Sequence, residues 1–134
     1  MIILNNSRGI GEAVRGPALV SQHGFGVRYD LDIATGVISN QEHDLYGEML
    51  SGRILVCPFP KGGVAASWAL ADFKDRGLAP IGIVFRRASP IFVQGALFAH
   101  IPIMHEFDED PCALLNTGDD VELLPREGQL INYG

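Results

Sequence analysis

The pattern of apolar and polar positions changes character about a third of the way along the chain. The first fifty residues hold short apolar runs, MIIL, PALV, FGVRYDL and GVIS, set between turns that contain Gly, Asn and Asp. Short runs bounded by turn residues predict β-structure. LDIATGVI has the form of two strand edges joined by a tight turn, with Gly36 supplying a positive φ. After Gly52 the runs lengthen. RILVCPF is a continuous apolar strand of the kind buried on both faces. Residues 64–76 predict a helix with Val64, Trp68 and Ala71 on one face. Lys74 and Arg76 fall in its last turn, where they suit the negative end of the dipole. Gly77 fits the C′ position, and Pro80 prevents continuation.

PIGIVF predicts a second buried strand and IPIMHE a third. Between them SPIFVQGALFAH predicts a short helix, capped by Ser89 with Pro90 at its first position. Asp110-Pro111 opens another helical turn, and DDVELLPREGQLINY reads as a closing hairpin. Buried strands therefore begin near Ile2, Ile54, Ile81, Ile101 and Val121. β-rich flanks around a β-α-β-α-β middle predict an α/β fold: a small sheet or barrel packed on a second sheet layer, with helices covering one face. A length of 134 residues fits a single domain, residues 1–134.

Composition narrows the function. A hydrophobic share of 47% with 19% charged is that of a compact soluble protein. The longest apolar stretches fall far short of the ~20 residues of a membrane span. MIILNNSRG has no basic region before its apolar run and so does not read as a signal peptide. A cytoplasmic location is the expectation, with no membrane partner. The net charge of −6 argues against a general nucleic-acid binder, which needs a basic face. Cys57 and Cys112 are too few and too far apart for a zinc site or a self-contained iron–sulfur cluster. They read as buried thiols in a reducing compartment. His23, His43, His100 and His105 share no metal-ligand spacing, so no metal is assigned to the chain.

The candidate chemistry lies in CPFPKGGVAASWALADFKDRG, residues 57–77. Gly62 and Gly63 let the backbone turn sharply at the end of a buried strand. The helix that follows offers unpaired N–H groups and a positive dipole end, suited to phosphate or carboxylate, with Lys61 as supplement. The spacing is that of neither a Walker A loop nor a dinucleotide fingerprint. A plain glycine turn that lets strand and helix pack closely is the other reading. Ser67 is either a proton-transfer group or a helix serine bonded back to the carbonyl four residues earlier. RGIGEAVRG, with Arg8 and Arg15, is accounted for by turn glycines. Arg86 and Arg87 follow a buried strand, at the end where open α/β sheets bind ligands, and also read as a solvated pair. EFDEDP reads as a solvated loop leading to a helix cap.

Taken in order, SRGIGEAVRGPALVS, DIATGVI, EHDLYGEMLSGRILVCPFPKGG, ASWALADFKDRGLAPIGIV, ASPIFVQGALFAHIPIM and LLNTGDDVEL resemble the small component of aconitase X proteins, distant relatives of aconitase. The resemblance covers nearly the whole chain. It implies a swivelling β/β/α domain similar to the last domain of aconitase, here as a separate small subunit. Such proteins are hydro-lyases that act on small hydroxylated acids, phosphomevalonate in archaeal members and cis-3-hydroxyproline in several bacterial ones. The implied partner is a large aconitase X-type subunit that holds an iron–sulfur cluster as Lewis acid, with no cofactor on the small chain. The small component closes over the anionic substrate and supplies a serine base from its glycine loop. An isolated subunit of this kind is expected to expose apolar surface for its partner.

The family's loop reads Gly-Lys-Gly-Ser, followed by a small or hydroxyl residue and a later serine. Lys61 and Gly62 match it, Gly63 stands at the serine position, and Ser67 matches the later serine. The resemblance thus implies substrate binding by Lys61, Gly62 and Gly63. It leaves the base to Ser67, to the partner subunit, to a water or to a different reaction. Two alternatives share the fold: a non-catalytic regulatory or interaction subunit, and a phosphohistidine-type swivel domain. The second needs a histidine on the loop, and residues 58–68 contain none.

Overall fold

The apolar runs become strands because successive side chains meet different layers. In β4 (Ile54–Cys57), Leu55 and Cys57 join one apolar cluster, and Ile54 and Val56 join another. The computed structural model describes residues 1–5 and 7–134, with the side chains of Ala66 and Ser67 outside the described residues. The other strands are β1 (Ile2–Leu4), β2 (Arg8–Ile10), β3 (Val14–Val20), β5 (Gly82–Phe85), β6 (Ile103–His105), β7 (Asp120–Leu124) and β8 (Gln129–Asn132). They form one curled sheet in the order β1-β8-β7-β3-β4-β5-β6-β2. The expected strands near Ile2, Ile54, Ile81, Ile101 and Val121 are all present, within two residues of the expected starts.

The middle of the sheet, β3-β4-β5-β6, is parallel, and both flanks are antiparallel. β3 joins the two regimes. Its first half pairs antiparallel with β7, from Val14↔Leu123 to Pro17↔Asp120, and its second half pairs parallel with β4, from Ala18↔Ile54. Pro17, which has no N–H to donate, sits where the partner changes.

Helices α2 (Val64–Asp75) and α3 (Pro90–Phe98) cross over between the parallel strands and cover one face. Leu70, Phe73, Phe92 and Ala96 close the cluster on that side, and Leu4, Met104, Val121 and Leu130 fill the inside of the curl. The caps are local and follow the sequence. Ser89 Oγ accepts Phe92 N–H at 3.2 Å, and Asp110 Oδ1 accepts Cys112 N–H at 3.0 Å to open α4 (Pro111–Leu114). Lys74 serves a different helix end from the expected one. Its ammonium donates to the carbonyls of Ala99 and His100, at the C-terminus of α3. Among the described residues no helix is long and apolar enough to cross a membrane.

Three expectations are corrected. FGVRYDL is not a strand: Val27–Asp30 is a single helical turn, α1, because the Asp30 carboxylate turns back to accept Gly26 N–H at 2.8 Å. Val64 and Trp68 do not face the core. They are 58% and 54% exposed, and α2 buries Leu70 and Phe73 instead. LDIATGVI makes its turn at Gly36, φ 74°, but its edges form only the bridge Leu31↔Ile38.

Candidate anion-binding site at the glycine loop

Parallel strands deliver their following loops to one edge of the sheet, where open α/β sheets bind ligands. Here those loops are residues 21–26 after β3, 58–63 after β4 and 86–89 after β5. Backbone bonds lock them side by side: Phe25 N–H to Phe59 O at 3.0 Å, Lys61 N–H to Phe25 O at 2.7 Å and Arg87 N–H to Pro58 O at 3.0 Å. The first two loops can lie this close because Gly24 and Gly26 lack side chains. A Cβ on Gly24 would stand 2.3 Å from the Phe59 ring, and one on Gly26 would stand 2.9 Å from Lys61 O.

Gly62 holds φ 99°, which L side chains rarely adopt, and Gly63 is the N-cap of α2 with no side chain to cap it. The first N–H groups of α2 therefore have no side-chain cap, as the sequence reading requires. Beside them a cleft of about 510 Å³ is lined by Gly62, Gly63, Val64, Ala65, Arg28 and Tyr29. Arg28 is exposed and makes no ion pair or side-chain hydrogen bond among the described residues. Sequence reasoning passed over it inside an apolar run.

Lys61 is engaged. Its ammonium lies 3.2 Å from both oxygens of Asp30, a carboxylate with no exposure that also accepts from Gly26 N–H and from Asn40 Nδ2 at 2.9 Å. The Lys61 charge is thus largely met inside the protein, and it orders the loop as well as facing the solvent edge. Ser67 lies in α2, one turn beyond Gly63, and its side chain falls outside the described residues. Of the other arginines flagged in the sequence, Arg87 likewise makes no ion pair or side-chain hydrogen bond among the described residues. Arg8 pairs with Glu106 at 3.0 Å, Arg15 grips Asp120 at 2.7 Å and Arg86 pairs with Asp110 at 3.0 Å, while Arg87 is exposed.

On the other side of Lys61, a cavity of about 380 Å³ contains Phe59, His23 and His43. There His23, His43 and Asp44 bring their ligand atoms within 4.8 Å of one another. They come from two separate loops, so no spacing in the sequence could announce them. Burial alone would raise the Asp44 carboxyl. Hydrogen bonds from the Ser21 hydroxyl and Gln22 N–H, with the nearby histidines, outweigh it and hold the group below its usual value. Cys57 and Cys112 are both buried and free. Burial pushes the Cys57 thiol well up and the Cys112 thiol to about 12.

Comparison with known proteins settles the lineage. The model of the aconitase X swivel domain matches residues 3–132. The chain belongs to the aconitase X swivel-domain family. Among its members, the phosphomevalonate dehydratase small subunit of Methanopyrus kandleri is 40% identical over 116 residues, covering 87% of this chain and 86% of that protein. The protein of the same name from Methanothermobacter thermautotrophicus is 34% identical and covers 92% of each chain. The crystal structure of Thermococcus kodakaraensis aconitase X, in its holo form, superimposes with a TM-score of 0.91 at 27% identity over the full length of both chains. The swivelling-domain expectation is met by the fold itself.

Proposed function

We propose that this chain is the small subunit of a two-subunit hydro-lyase. In this reading its glycine loop binds the anionic group of a small hydroxylated acid presented by a large aconitase X-type subunit. The carrying observation is the convergence, at one sheet edge, of a helix start with no side-chain cap, the Gly62–Gly63 backbone and Arg28, which has no ion pair among the described residues, around an open cleft. Relatives named as dehydratase small subunits support the reaction class. Phosphomevalonate, the compound in their names, carries a carboxylate, a phosphate and a hydroxyl. Either anion suits N–H donors and a guanidinium.

The roles divide as follows. Gly62 and Gly63 bring backbone N–H groups to the anion. Arg28 supplies the free positive charge. Lys61, anchored on Asp30, fixes the loop and offers its remaining N–H bonds to the substrate. Ser67 is this chain's candidate hydroxyl for proton transfer, with a partner group or a water as the alternative base. The implied iron–sulfur cluster does not fit this chain, which offers it only two buried cysteines against the about four ligands such a cluster draws on. It belongs to the large subunit, and no step on this chain passes through it. The regulatory-subunit reading rests on Gly63, which stands at the family's serine position.

The test is reconstitution with a large aconitase X-type subunit, assayed for dehydration of phosphorylated and carboxylated hydroxy acids. Arg28→Ala removes a charge-assisted contact of ~1.5–3 kcal/mol and should weaken substrate binding roughly 10- to 100-fold at unchanged stability. Lys61→Met should instead unfold more easily, by roughly 3 kcal/mol. That is the low end for breaking a buried pair, because the ammonium is 35% exposed. An active complex indifferent to Arg28→Ala would sink the anion assignment, and a complex with no dehydratase activity would favour the regulatory reading.

A further inference from the structure

We propose that His23, His43 and Asp44 form a binding site for a divalent transition-metal ion, which fastens the loop after β3 to the turn at residues 40–45. His43 is buried, and its Nε2 faces Gly24 O at 3.0 Å. A carbonyl can only accept, so that nitrogen carries the proton. Nδ1 is then a bare lone pair, which accepts Leu45 N–H at 3.1 Å. Asp44 Oδ1 stands only 3.2 Å from it. His23 Nδ1, which accepts Asp44 N–H at 3.2 Å, lies 3.9 Å from the same oxygen.

Three electron-rich atoms thus face one another, each engaged by a single donor from outside the group: Leu45 N–H, Asp44 N–H and the Ser21 hydroxyl. A positive charge placed among them would meet two imidazole nitrogens and a carboxylate in a place half removed from water, where its attraction to them is strengthened. The distances suit an ion. Metal–ligand bonds of about 2.0–2.1 Å in a tetrahedron put ligand atoms roughly 3.3–3.4 Å apart, and the two distances to Asp44 Oδ1 bracket that value. The outer contacts are also those of a built site. His43 is oriented through its second nitrogen by a backbone carbonyl, and the carboxylate is held by the Ser21 hydroxyl at 2.5 Å and Gln22 N–H at 2.8 Å. Two imidazoles and one carboxylate select Zn²⁺ or Co²⁺ over Mg²⁺ and Ca²⁺, which prefer oxygen alone. An ion here replaces the two long N–H contacts from Asp44 and Leu45. It braces the wall shared with Phe59 and Lys61.

The experiment uses the full chain, free of any affinity tag and stripped by a chelator, titrated with Zn²⁺ alone and with Co²⁺ alone. One equivalent of either ion should bind, with the intense visible bands of tetrahedral Co²⁺ and a melting temperature that rises with ion concentration. Ser21→Ala, behind the carboxylate, should weaken binding roughly 10- to 100-fold. His23→Ala should weaken it further. His23 is half exposed and outside the apolar clusters, so this variant keeps the fold, which its circular dichroism checks. The proposal is overturned by the absence of stoichiometric binding, by equal affinity in His23→Ala, or by an octahedral Co²⁺ spectrum. It is equally overturned if NMR finds His43 doubly protonated at neutral pH in a chain that binds no ion, since the space among these atoms then belongs to a proton.

Discussion

Neighbouring glycines in the loop carry opposite constraints. Gly62 holds φ 99°, so a Cβ there is strained whatever space surrounds it. Gly63 has φ −119°, and an ideal Cβ on it meets nothing within 4 Å. Gly62→Ala should therefore lower stability by roughly 1–2 kcal/mol in a urea melt. Gly63→Ser should leave it within about 0.5 kcal/mol. The serine that the family places here is thus sterically admissible, and its loss is a change of chemistry rather than of fold. If reconstituted turnover rises in Gly63→Ser, the chain works with a substitute base. If Gly63→Ser unfolds the chain, the loop geometry described above is wrong. Lys61 and the glycines were legible from the sequence because they are contiguous. The Asp30 partner was not, since it sits thirty-one positions upstream and is brought in only by the turn at α1.

Helices reveal their ends more readily than their faces. Ser89, Asp110 and Gly77 mark boundaries through bonds to residues a few positions away, so the sequence places them well. The apolar face of α2 was misread because Val64 and Trp68 carry the same signal whether they meet the core or another molecule. In the fold they join Ile91 and Phe98 in an exposed patch, the Trp68 and Phe98 rings 4.9 Å apart, directly beside the glycine loop. A surface of that kind next to the site suits the large subunit. Truncating a central aromatic anchor typically removes 2 kcal/mol or more of binding, about 30-fold. Trp68→Ala should weaken association by at least that factor while the isolated chain melts as before. Calorimetry that finds both Trp68→Ala and Phe98→Ala binding the large subunit normally would move the interface elsewhere. β3 was legible only in part, because the partner of its first half lies a hundred residues downstream.

At the level of the whole molecule, acid should weaken the fold in two stages. His105 Nδ1 is buried without a hydrogen-bond partner among the described residues, and burial, aided by Arg8 and opposed by Glu106, holds this histidine below its usual value. A depressed histidine gives stability that is present above about pH 6.5 and lost as pH falls through the folded value. Asp120 is depressed by its hydrogen bond to Arg15. Asp44 is depressed by Ser21 and Gln22 against the opposing effect of burial. Their contributions are present above about pH 4 and disappear on further acidification. Melting temperatures across this range should show both steps, and His105→Gln should flatten the upper one alone. A curve unchanged by that substitution would remove His105 from the account.

The change of partner along β3 has a consequence for how the chain acquires its shape. The parallel unit from β4 to β6 is assembled from consecutive segments, but the antiparallel flank needs residues 14–17 to find residues 120–123 and residues 2–4 to find residues 130–132. Closing such long loops costs entropy that contacts in the middle must first offset, so folding should take milliseconds to seconds, with the middle ordered at the barrier and the flank docking after it. Val84→Ala, in the parallel unit, should then slow refolding. Leu130→Ala, in the last strand to dock, should chiefly accelerate unfolding. Stopped-flow chevrons for the two variants separate these limbs, and a slowed folding limb in Leu130→Ala would mean that the ends of the chain meet before its centre is built.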